Sequence, residues 1–317
     1  MTKRYLLSSL AVLLTVMSVQ AQVGKQITSI LCECHQPGGD SEESTFTYDA
    51  SGRPIAAHTV STNGAEGDKM DYASTFSYDD AAQTISSHTV ISSDGEQNVM
   101  DAVATLSSGR VSKVVFTEME HQGTMAGSIL EVSYDDDGHV VNTKNKLTTL
   151  GEEYVYAESV ISWQDGNIVS VSSTGNGGSL HNGVQTLRYD MSKPAPKNPY
   201  LAYVLMDMPF DLSSMQMLLP MLPYMGYSSR NLPVGWEDER KEVSYAYEYD
   251  SDGDIRRIEV FSSQEKTHTY TFGLGTSGIS DVRADQPGDD CYSLQGHKVN
   301  HPTKGIYVRG GRKVVVR

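Results

Sequence analysis

The sequence predicts an all-β fold: an antiparallel meander of repeated hairpins that closes into a barrel or barrel-like sheet, with a short Met/Leu-rich helical insert and a small C-terminal β tail. Three observations carry this. TFTYDASGRPIAAHTV, from Thr45, and TFSYDDAAQTISSHTV, from Thr75, align at an offset of 30 residues with eight of sixteen positions identical, and self-similarity at a fixed period marks a repeated structural unit. Aromatic residues recur two apart, as in Phe46/Tyr48 and Tyr245/Tyr247/Tyr249, which places them on one face of a strand. Tyr-Asp followed by glycine closes several of these runs, as at Tyr134–Gly138 and Tyr249–Gly253, and Asp and Gly are turn residues.

From the N-terminus, residues 1–21 have the form of a secretory signal: Lys3 and Arg4, the apolar run LLSSLAVLLTV, and the small-x-small site Val19-Gln20-Ala21. No cysteine follows that site, which argues against a lipid-anchored start. Losing Lys3 and Arg4 takes the net charge from −15 to −17. Such acidity argues against a nucleic-acid partner, whose phosphates need Lys and Arg. No later run is apolar for long enough to make a transmembrane helix. Residues 22–273 are read as the β domain, with the meander running from about Thr45 to Val171. Asp165-Gly166 marks a two-residue hairpin and Gly109-Arg110 another return. A strand is expected around Leu187 and Tyr189, then a proline linker, MSKPAPKNP, from Met191. The insert at about 201–227, rich in Met and Leu, should form short helices broken at Pro209, Pro220 and Pro223. Strands should resume at Glu242. Residues 274–290 read as a linker and 291–317 as the β tail.

The Tyr-Asp-x-x-Gly hairpins, ISWQDGNIVSVSS, SSRNLP from Ser228 and YAYEYDSDGDI resemble a family of Bacteroidota secreted proteins and lipoproteins of unknown function with a porin-like fold. That resemblance covers most of Thr45 to Phe272 and implies no catalytic residues. The end, YSLQGHKVNHPTKGIYVRGGRKVVVR, resembles the final part of a type IX secretion C-terminal sorting domain, through LQGHKV, KGIYV and KVVVR. It implies the type IX machinery as a partner and delivery to the cell surface or medium, with the periplasm as the alternative.

Candidate chemistry is sparse. Asp250, Asp252 and Asp254 sit at the first three ligand positions of an EF-hand-type loop, but Ile255 and Phe261 occupy positions 6 and 12. A turn is the better reading, because Asp49 and Asp79 keep Tyr-Asp without the other acids. Cys32 and Cys34 would share a strand face, and only Cys291 could join them; a disulfide framework needs an even count. His58 and His88 occupy equivalent repeat positions, so they could lie side by side on one sheet face. Met206, Met208, Met215, Met217, Met221 and Met225 suit gap-filling better than soft-metal binding. The sequence therefore assigns no catalytic, metal or cofactor residue and no cofactor. Its first reading is an exported, non-enzymatic binding or scaffolding barrel. Alternatives are a carrier of a small apolar ligand with 201–227 as lid, a polysaccharide-acting enzyme, and a true membrane porin, whose lipid-facing band the many Ser, Thr and His residues would interrupt.

Overall fold

The computed structural model describes residues 25–64, 67–121, 124–149, 152–175, 182–196, 198, 201, 218–226, 229–275, 291–293, 305–309 and 312–316. The signal-like segment 1–21, most of the insert and most of the 274–290 linker lie outside them. Two compact units separate near residue 277.

The first unit is a closed barrel of sixteen antiparallel strands, each paired with its neighbours in sequence, with the last strand pairing back onto the first. The strands are β1 Gln26–Cys34, β2 Ser41–Tyr48, β3 Pro54–Thr62, β4 Lys69–Asp79, β5 Thr84–Ser93, β6 Glu96–Ser107, β7 Arg110–His121 and β8 Thr124–Tyr134. They continue with β9 Val140–Thr149, β10 Glu152–Gln164, β11 Asn167–Gly175, β12 Gly183–Pro194, β13 Asn231–Glu237, β14 Glu242–Tyr249, β15 Ile255–Ser262 and β16 Glu265–Gly275. The second unit is a three-stranded sheet of β17 Cys291–Ser293, β18 Gly305–Arg309 and β19 Arg312–Val316.

Four boundaries depart from the sequence reading. The barrel begins at Gln26, well before Thr45. β12 runs on through Met191 to Pro194, so the expected linker starts as strand. A strand with a proline inside it, β13, precedes Glu242. β16 extends to Gly275, past the expected end of the domain.

The strand residues alternate sharply. On β2, Ser44 and Phe46 are buried while Glu43, Thr45 and Thr47 are exposed. Residues directly opposite on paired strands share a face, so register carries this assignment around the ring. The inward face holds the core, including Ile27, Phe46, Phe76, Ile85, Val111, Leu130, Val140, Ile168, Ile258 and Phe272. Buried hydroxyls lie on the same face and bond across strands in equivalent places: Ser44 to Thr59 and Ser74 to Thr89, both at 2.8 Å.

The outward face is charged in mid-strand. Lys146 meets Glu131 at 2.7 Å, Lys144 meets Glu158 at 3.4 Å, and Glu259 takes Arg257 at 3.0 Å and Lys266 at 3.2 Å. His58 pairs with Asp71 at 2.8 Å and His88 with Asp101 at 2.6 Å. These histidines share the outer face, but β4 lies between their strands, so they are not side by side.

All the tight turns after even-numbered strands lie at one end of the barrel, and a repeated device ties them. Bulges open β1, β3, β7, β9, β11 and β13 near their starts, and a bulge interrupts the ladder locally. An inward aromatic of the following strand donates to a carbonyl at each bulge. Tyr48 reaches Ile27, Tyr78 Pro54, Tyr134 Val111, Trp163 Val140 and Tyr189 Ile168, at 2.6–2.8 Å. Tyr247 does the same to Pro233. The β4–β5 pairing has no bulge, and β6 places Leu106 where an aromatic would reach back to β5. The absent tie thus coincides with the absent bulge. β15 carries a bulge, but β16 offers Leu274 inward; there Lys25 stitches the seam instead, through Asp250 at 2.7 Å, Asp254 at 3.5 Å and Asp252.

The same end is closed by the described part of the insert. A 3-10 helix, Leu219–Tyr224, packs against β3, β5 and β7 although its chain enters between β12 and β13. Since β5 and β13 are eight places apart in a ring of sixteen strands, the segment crosses the barrel's width. Leu218, Leu219, Met221, Leu222 and Met225 are buried in the core. Met206, Met208, Met215 and Met217 lie outside the described residues.

Candidate functional site

The turn end is spent on structure. Asp49 Oδ1 accepts the amides of Ser51 and Arg53, and Asp250 Oδ1 accepts those of Asp252 and Asp254. Asp135 Oδ1 likewise accepts the His139 amide. The hydrogen bond from Lys25 holds the Asp250 carboxyl at about 2, against a smaller opposing effect of burial. Asp135, Asp137 and His139 bring one ligand atom each within 4.8 Å of one another, but Asp135 is already bonded to His139 Nδ1 at 3.1 Å. A groove of about 420 Å³ opens beside them, between Arg110, His139 and Tyr224.

The opposite end differs on the same inward face. Met70 is 40% exposed, Leu147 42% and Tyr154 50%, although Tyr154 and Leu147 lie opposite one another and Leu147 opposite Ser128, which faces Phe116 of the core. Ile27, Val111, Val140 and Ile168, at the turn end, are each 0% exposed. The interior is therefore packed at the tied end and solvated towards the other.

A row of titratable groups crosses the β16–β1 seam in that solvated half. Tyr270 on β16 is opposite Cys32 on β1, and Cys32 is opposite Glu42 on β2. Tyr72 of β4 and Tyr245 of β14 flank the row, near enough for charge on Glu42 to act on Tyr72 and charge on Tyr245 to act on Tyr270. Burial pushes the Cys32 thiol up to about 11, with a hydrogen bond from Tyr270 working against it. Burial also raises the Glu42 carboxyl, opposed by the Ser44 hydroxyl at 3.4 Å. The Tyr270 phenol is raised by burial, then by the nearby Cys32. His268, opposite Cys34, is lowered by burial and then by His35 and Lys241. Groups shifted by burial and by one another within a concave surface mark a candidate site.

Cys32 and Cys34 are free thiols; the Cys291 side chain lies outside the described residues. Of the sequence candidates, only Cys32 enters this row. Glu42, Tyr72, Tyr245 and Tyr270 were missed, because their convergence depends on register between β1, β2 and β16. The available signal was the alternation in QITSILCEC and SEESTFTY, which sets which residues share a face.

No protein-family profile matches this chain, and no curated protein does. Solved structures do. A porin-like protein from Bacteroides uniformis superposes with a TM-score of 0.54 at 14% identity, over 79% of this chain and 98% of that one. A porin-like protein from Bacteroides vulgatus gives 0.54 at 13% identity, over 79% and 99%. The likeness shows the fold: a closed, porin-like antiparallel barrel.

Proposed function

We propose that this chain is an exported, non-enzymatic barrel that works in water and binds a small molecule through the end opposite the tied turns. The observation that carries this is the gradient along the inward face, from fully buried side chains at the tied end to half-exposed Met70, Leu147 and Tyr154 at the other. A filled end and a solvated apolar end make a cup rather than a channel. The outer wall supports the aqueous setting: Lys144, Lys146, Arg188 and Arg257 stand on strands with their acid partners. Each Lys or Arg facing lipid near the bilayer midplane would cost about 2–4 kcal/mol.

The carrier alternative is thereby kept with its entrance reversed, since Leu218–Met225 packs as plug rather than as lid. The polysaccharide-acting alternative needs two carboxyls about 5–9.5 Å apart; the half-buried acid in the cup, Glu42, is flanked instead by a thiol and phenols. A hydrophobic dye should bind the wild-type protein saturably, and Leu147→Glu with Tyr154→Glu should abolish binding while leaving the melting temperature within a few degrees. Dye binding that survives both substitutions would reject the open-end reading.

Export is proposed from residues 1–21 and from the sorting-like tail, with the surface or medium as destination and the periplasm as alternative. Deleting 291–317 should strand the protein in the periplasm of its native host without changing the denaturant midpoint of the purified barrel. Normal delivery of the truncated chain would refute the sorting role.

A further inference from the structure

We infer that the cup selects a small organic ammonium ion, held by Glu42 against a wall formed by Tyr72 and Tyr270. This rests on the open-end reading above and names its ligand class. Glu42 faces inward, on the same strand face as buried Ser44 and Phe46. Its described partner is a neutral one, the Ser44 hydroxyl at 3.4 Å, and no ion pair is formed with it among the described residues. A half-buried carboxylate without a counter-ion is costly to keep unless something supplies the missing charge or donors. On the described strands of the open half, no Lys or Arg shares this inward face, whereas Glu96 and Glu152 do, at the rim. Lys241 at the rim, whose charge reaches His268, offsets one of these three acids among the described residues, and the balance still favours cations.

The neighbours of Glu42 fit the other half of such a ligand. Phenol rings present a negative face that attracts ammonium groups, more strongly when water is excluded. The rim already holds one such pair: the Lys241 ammonium lies 4.7 Å from the centroid of Trp236, whose ring is inward and buried. Cys32 adds a polarizable, uncharged surface beside the carboxylate, because its thiol stays protonated at neutral pH. Half-exposed Met70, on β4 two strands from Glu42, offers contact for a short apolar tail.

The test uses three probes of equal tail length with the full mature chain: hexyltrimethylammonium, hexanol and hexanoate, titrated calorimetrically at pH 7. The ammonium should bind at least tenfold more tightly than hexanol, with hexanoate weakest. Glu42→Gln should erase that tenfold preference while keeping hexanol affinity, and Tyr72→Leu should weaken ammonium binding severalfold. Circular dichroism and melting of each variant check folding, and the hexanol titration is an internal check of the cup. Equal binding of ammonium and hexanol, or an unchanged preference in Glu42→Gln, overturns the ammonium inference and leaves the cup standing. Failure of all three probes to bind overturns both.

Discussion

The two ends of one barrel use the same inward positions in opposite ways. At the turn end, even-numbered strands present aromatics whose polar tips meet carbonyls at bulges, and the insert fills what is left. At the loop end, β10 presents Tyr154 and β4 presents Met70 to water. An inward residue of a large barrel is not buried by facing inward; it is buried by what crosses the lumen to meet it. A sixteen-stranded wall is too wide for its own side chains to fill, so the chain spends an insert on closing one end. The difference between the ends is thus the difference between a filled and a solvated stretch of the inward face.

The largest test of that comparison is the plug. Leu218→Ala and Leu222→Ala should each lower stability by about 2–5 kcal/mol, the cost of a cavity in a packed core. Leu147→Ala, on the same kind of strand face at the open end, should cost under about 1 kcal/mol, because half its surface is already in water. Equal losses in denaturant midpoint at the two ends would break the comparison.

The ties come next. Tyr134→Phe leaves the Val111 carbonyl without its donor, and Tyr189→Phe does so for Ile168. Each should cost about 1–3 kcal/mol, the penalty for a buried acceptor left unmade. Tyr72→Phe, whose hydroxyl is described only near the Met70 sulfur at 3.6 Å, should change stability by less than about 0.5 kcal/mol.

How much of this was legible in the sequence follows from the same contrast. The hairpins were legible, because Tyr48 and Tyr78, Asp49 and Asp79, repeat at a fixed interval and turn chemistry is local. β1 was not, since QITSILCEC pairs with β16 more than two hundred residues away and has no copy in the repeat. β13 was hidden by Pro233, which argues against a strand interior; the structure resolves this by placing Pro233 at a bulge and using its carbonyl as the acceptor for Tyr247. The role of tyrosine was read as strand burial alone, because its hydroxyl partner lies on the neighbouring strand. Glu42 looked like one acid among 40 Asp and Glu. Only ring closure brings it beside Tyr270.

The smallest effects concern acid, and here the two ends should respond with opposite sign. Asp250 falls from its ordinary 3.8 to about 2 through the Lys25 hydrogen bond, so its contribution is fully present above 3.8 and is lost as pH drops through about 2. Glu42 moves the other way, above its ordinary 4.5, through burial. The folded state then holds a proton that the unfolded chain has released, and stability declines as pH rises from 4.5 through the raised value. Lys25→Ala should therefore flatten the loss of stability between pH 3.8 and 2. Glu42→Gln should leave stability unchanged near pH 3 and increase it at pH 7. Denaturant midpoints across pH 2–7 for both variants read this out. If Glu42→Gln lowers stability at pH 7, the carboxylate has a stabilising partner of its own in the folded chain, and the inward face around it is less solvated than the exposed side chains nearby indicate.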